Sequence, residues 1–174
     1  MSKLDEDMVV NSGLYYDCIL KDCVFLSAKD LNYDIDEIIL KKIQNKIEGR
    51  CIKVGYVMPN SIKIKSRSLG NINNANFDGA TIYNITFTAT ICNPTIGQTV
   101  VCYVGSIDKS QTVCYLNTVT VSPVEIYLCK NNHIGNVEFI NLKINDKIKV
   151  KIAGSKFNYK EPQIIAIAQF IEKI

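Results

Sequence analysis

With 174 residues, 47% of them hydrophobic, and a net charge of +3, the chain suits one large domain or two small ones. The composition excludes a disordered segment and a histone-like polycation. Seven cysteines without a Cys-x-x-Cys pair, and a single histidine, point to a reduced intracellular protein without structural disulfides or metal. The N-terminus lacks a basic stretch followed by an apolar run, and no apolar segment approaches the ~18–20 residues that span a bilayer, so no membrane partner is expected.

In chain order, Asp17–Ala28 alternates imperfectly around Ile19, Val24 and Leu26 and reads as one or two short strands. Asn32 or Asp34 can cap a helix over about 34–48. Ile35, Ile38, Ile39, Ile43 and Ile47 follow helical spacing, Asp36 and Glu37 occupy the first turn, and Gly49 stops the helix. Arg50–Met58 reads as one strand ended by Pro59-Asn60-Ser61, and Ile62–Lys65 alternates as another. Ser66–Gly79 is a polar, Asn-rich loop, and Ala80–Ile91 a long strand around Ile82, Ile85 and Phe87. This order predicts an α+β N-terminal domain over residues 1–94.

Pro94–Gly97 marks the boundary. Beyond it, Thr99–Ile107, Thr112–Val121, Val124–Lys130, Val137–Lys143, Lys147–Phe157 and Gln163–Ile171 read as strands. Five or six strands without a helix predict an all-β, OB-fold-like barrel over residues 95–174.

No phosphate loop, His-Glu-x-x-His motif or nucleophile elbow is present, and a cysteine nucleophile would need an imidazole base. The one candidate, His133 in Asn131–Gly135, reads as an exposed turn histidine. The acids Asp34, Asp36 and Glu37 read as helix-start residues. An enzyme is not expected, and no cofactor is implied. Asn84-Ile85-Thr86 is a formal glycosylation sequon inside a predicted strand, and abundant Ile, Asn and Lys are compatible with an AT-rich genome such as that of a large DNA virus.

The charge is uneven. Lys41–Arg67 holds eight Lys/Arg residues against Glu48, and Lys143–Lys160 holds six lysines against Asp146. In Lys147–Ile152 the lysines share one strand face and the aliphatics the other. OB-folds bind single strands through basic grooves and aromatic platforms, so Lys149, Lys151, Lys156, Tyr159 and Lys160 form an RNA-facing candidate set. A solubilising edge strand fits the same lysines. Tyr103 and Tyr115 offer stacking faces or belong to the core.

Several segments resemble, in order, the stalk subunit of multisubunit DNA-directed RNA polymerases, the seventh-subunit family of RNA polymerase II and its archaeal and viral relatives. The isoleucine helix ending in Ile47-Glu48-Gly49, the strand Val54-Gly55-Tyr56-Val57, and Thr81–Thr90 running into Pro94 and Gly97–Val101 are similar to the family's helix, aromatic-Gly strand and passage into its second domain. Lys147–Gly154 resembles its late barrel strand. The family's Gly-aromatic after the first barrel strand is here Lys109-Ser110-Gln111, and the acidic leader Asp5-Glu6-Asp7 is extra, as in a divergent viral member.

The resemblance implies an RNP-like tip domain followed by an OB domain. It also implies a non-catalytic role in transcription: docking on the polymerase core near the clamp and guiding exiting RNA. The implied partners are the large polymerase subunits, a fourth-subunit-like protein and nascent RNA. The family's tip corresponds to Ser66–Gly79 and its flanks, which makes Lys63, Lys65, Arg67, Ser68, Asn71, Asn74 and Phe77 the docking candidates. The expected location is the cytoplasm (viral factory or virion) for a viral protein and the nucleus for a cellular one. Two other readings fit the residues: a free-standing single-stranded nucleic-acid-binding OB protein, and a structural β-rich viral protein.

Overall fold

The computed structural model describes residues 11–31, 34–72, 80–117 and 121–174. The chain is mostly β, with a closed five-stranded barrel compatible with an OB-like barrel. It divides into two compact units, and the division is not a single cut in the chain. One unit comprises Asp17–Gly49 and Val57–Ile91; the other combines the chain up to Tyr16 with Arg50–Tyr56 and Cys92–Ile174.

The first unit holds helix α1 (Ile35–Ile47), β4 (Lys63–Arg67), β5 (Asn71–Ile72) and most of strands β1 (Tyr15–Leu26) and β6 (Thr81–Cys92). The strand β6 pairs with β1, and antiparallel with β4 and β5. Helix α1 buries Ile39, Ile43 and Ile47, one stripe at helical spacing. Gly49, at φ 67°, supplies the left-handed residue that ends it. Alternate residues of β6, Tyr83, Ile85, Phe87, Ala89 and Ile91, are buried. Their period of two is what a half-covered sheet requires.

Arg50–Met58 is a hairpin, not one strand. Cys51–Ile52 (β2) turns back at Lys53-Val54 into Gly55–Val57 (β3), with Cys51 opposite Tyr56 and Ile52 opposite Gly55. Gly55 sits at φ 140°, a backbone conformation open to glycine and costly for other residues. Arg50–Tyr56 is tied to the barrel unit: Cys51 N–H donates to Glu161 O and Lys160 N–H to Cys51 O, both at 2.8 Å.

The barrel strands are β7 (Thr99–Ile107), β8 (Gln111–Tyr115), β9 (Val124–Cys129), β10 (Lys147–Lys156) and β11 (Ile164–Lys173). They close in the order β10-β11-β9-β8-β7, every neighbour antiparallel except β9 with β11. Val100, Cys102, Val104, Ile126, Leu128, Ile148, Val150, Ile152, Ala166 and Ala168 fill the interior. Where Val137–Lys143 reads in sequence as a strand, the structure has a short helix α2 (Val137–Ile140), whose Asn136 side chain accepts from Phe139 N–H. An Asn cap satisfying a free helix-start donor outweighs the alternating pattern there.

Candidate nucleic-acid interface

Alternation along β10 puts Ile148, Val150 and Ile152 inside the barrel, while Lys147 and Lys149 are half-buried and Lys151 exposed on its outside. The lysines are not equivalent. Lys149 Nζ lies 2.9 Å from Glu172 Oε1, which β11 places directly opposite it. Both side chains of this pair remain open to solvent, so its attraction is screened and weak. Lys147 Nζ stands 5.9 Å from the ring centre of Tyr103, its partner on β7. Lys151 faces Thr99 and Gln169 and has no ion-pair partner among the described residues.

Lys156 closes the same strand and is exposed. Tyr159 is exposed in the following turn, with Lys160 Nζ 5.7 Å from its ring centre. That turn is held by Glu161, whose carboxylate accepts from Asn158 N–H and Nδ2, both at 2.6 Å. These bonds hold the Glu161 carboxyl below its ordinary 4.5. Lys160 adopts φ 71°, so Tyr159 is presented on a backbone bend that a non-glycine residue rarely takes.

Tyr103 and Tyr115 face each other across β7 and β8 on the barrel's outer side, half-buried. The Tyr115 hydroxyl lies 3.3 Å from Glu125 Oε1 on β9. Loss of solvent, and the neighbouring Glu125 carboxylate, raise the Tyr115 phenol above its ordinary 10.0.

In the first unit, Lys63 and Lys65 are exposed on β4 and line a cleft of about 620 Å³ with Asp17, Ser61, Thr88 and Thr90. The Arg67 guanidinium pairs with Asp36 on α1 and lies 5.6 Å from the Tyr83 ring centre. Ser68 is tied to Asn84 by backbone and hydroxyl bonds, and Asn71 sits opposite Ile82 on β5. Asn74 and Phe77 lie outside the described residues. Lys42 and Lys46 pair with Asp30 and Asp22. With Arg67, these pairs reduce the free charge of the Lys41–Arg67 run.

The expectation of an exposed His133 is overturned. The residue is buried, its Nδ1 2.7 Å from Cys129 O and its Nε2 accepting from Phe170 N–H at 2.8 Å. Its ring stacks on Phe139 at 4.4 Å. With both nitrogens engaged by backbone, the ring serves as a packing and hydrogen-bonding element. The buried thiols are equally unsuited to attack: burial pushes Cys51 up to about 11 and Cys92 to about 12. Among the described residues, no group of three or more His, Cys, Asp or Glu side chains is placed to hold a metal.

Sequence reasoning missed the outer wall beside the tyrosines, where Gly105, Asn117 and Gln163 meet them. The available signal was Gly105, a glycine within a strand, which marks a bulge or a close approach. The ladder is irregular there, between Val104 and Ser106. No protein-family model matches the chain, and no curated protein matches it significantly.

Proposed function

We propose that this chain is a non-catalytic, stalk-like subunit of a multisubunit DNA-dependent RNA polymerase. Its first unit docks on the polymerase core near the clamp, and its OB-like barrel guides exiting RNA. The observation that carries the reading is the barrel's strand order. Three meander strands are closed by a fourth and a fifth, with the third and fifth parallel, an order compatible with an OB-like barrel, and the lysines of its fourth strand lie on the outside. The helix closed by Glu48-Gly49 and the hairpin carrying Gly55-Tyr56 support the same reading, because the two glycines of the resemblance, Gly49 and Gly55, sit at positive φ. Lys63 and Lys65 on β4 supply the exposed charge for docking. The buried thiols of Cys51 and Cys92 and the engaged His133 fit a role without covalent chemistry.

The RNA half of the proposal is tested with a fluorescent single-stranded RNA titrated at several salt concentrations. Phosphate contacts carry no base information, so Lys149→Ala/Lys151→Ala should weaken binding uniformly across RNA sequences. The salt slope should fall by roughly 0.7 per lost contact. Lys151, without an ion-pair partner among the described residues, should account for more of the change than Lys149, which must first leave Glu172. Identical affinities and slopes for wild type and variant would remove RNA guidance from these lysines.

A free-standing single-strand-binding protein is the second reading. The paired tyrosines on the barrel's outer face favour it, since they need no polymerase to bind a strand.

A further inference from the structure

The outer wall of β7 and β8 holds a cleft of about 410 Å³, lined by Tyr103, Tyr115, Asn117, Ser122, Asn145 and Gln163. Its size falls within the ~300–1,000 Å³ of small-molecule sites. The Tyr115 ring fills the space that a side chain at Gly105 would need: a Cβ there would lie 2.3 Å from Cε2 of the ring. With its hydroxyl on Glu125, the ring is held at both ends. Gln163 Nε2 donates to Ser122 O at 2.9 Å, which fixes that amide in the wall.

Asn117 is the telling residue. It is only 8% exposed, and its side-chain oxygen is buried without a hydrogen-bond partner among the described residues. A buried acceptor left unpaired is costly, and in native proteins such an atom nearly always meets a donor from the protein, an ordered water or a bound group.

We propose that this cleft is a nucleobase subsite, taking the base of a free nucleotide or one base of a single strand. The base is flat enough to stack on a tyrosine and carries the N–H donor that Asn117 Oδ1 lacks. Lys147, over Tyr103, places positive charge on the same wall for the attached phosphate. Only the single-strand source rests on the RNA reading above; the subsite for a free nucleotide stands without it.

The full-length protein is titrated with cytidine and adenosine monophosphates, with ribose 5-phosphate, and with a short oligoribonucleotide in base-bearing and abasic forms. The readouts are affinity and the Asn117 side-chain amide resonance. The base-bearing ligands should shift that resonance, and ribose 5-phosphate should not. Tyr115→Leu, which keeps an apolar body on the barrel surface, should weaken base-bearing ligands about tenfold and leave the abasic oligomer unchanged. Asn117→Ala should do the same, and the wild-type ligand comparison decides the matter if that variant fails to fold. Mononucleotide binding without oligomer binding supports the subsite while removing the RNA reading. An oligomer affinity that falls in Lys149→Ala/Lys151→Ala but not in Tyr115→Leu removes the single strand as its source, and an Asn117 resonance unmoved by every base-bearing ligand overturns the subsite.

Discussion

His133 ties three segments together through one ring: Cys129 by its carbonyl, Phe170 by its amide and Phe139 by stacking. The Phe170 amide needs an acceptor, so Nε2 must be unprotonated, and Nδ1 carries the proton donated to Cys129. Replacing His133 by Ala leaves that amide buried without an acceptor and opens a cavity against Phe139. The expected cost is about 2–4 kcal/mol in urea denaturation at neutral pH. A change below about 0.5 kcal/mol would fit only an exposed turn residue. The sequence hid this role because Asn131-Asn132-His133-Ile134-Gly135 is polar locally, while the Phe170 amide that meets the ring arrives from a distant strand. The cleft residue Asn117 was illegible for the same reason: nothing in Tyr115-Leu116-Asn117 reports that a side-chain amide will be enclosed.

The elements divide according to how local their causes are. The helix α1 was legible because its isoleucine period, its early acids and Gly49 all lie within its own stretch, and it forms over Ile35–Ile47. Gly49→Ala forces a side chain into the left-handed region and should cost about 1–2 kcal/mol in thermal or urea unfolding; no measurable cost would mean that the helix ends without that conformation. The strand β10 was legible through the alternation of its lysines and aliphatics. By contrast, Val137–Lys143 alternates yet forms a helix, because one Asn136 cap decides a segment too short for periodicity to decide. Arg50–Met58 was read as one strand because the Lys53-Val54 turn lacks the usual turn residues and only Gly55 marks it.

Two turns of the barrel rest on carboxylates. Asp146 is held below its ordinary 3.8 by Lys173 and the Lys143 amide, and Glu161 below 4.5 by the Asn158 amides. A carboxyl lowered in the folded state stabilises above its unfolded value and ceases to as pH falls through the folded one. Melting temperature should therefore drop on acidification below these ordinary values. The Asp146→Asn/Glu161→Gln variant should lose less over that window; an equal loss would assign acid sensitivity to other groups.

For the whole molecule, the net charge of +3 says little, because function depends on which cations remain free. Ion pairs engage Lys42, Lys46, Arg67, Lys149 and Lys173. Of these, the Lys149–Glu172 pair follows from the β10–β11 register, which composition cannot foresee. Lys63, Lys65 and Lys151 are exposed and outside those pairs. Reversing Lys63 and Lys65 to Glu should leave urea stability within about 0.5 kcal/mol of wild type and abolish assembly into polymerase, as followed by co-sedimentation. Unimpaired assembly would move the docking surface off β4. The most direct measurement is affinity purification of the tagged full chain from its native source, with every associated chain identified and its amount determined. The stalk reading predicts the large catalytic subunits of an RNA polymerase at one-to-one stoichiometry, retained at moderate salt. Recovery of the chain alone, or with RNA but no polymerase subunit, would contradict it.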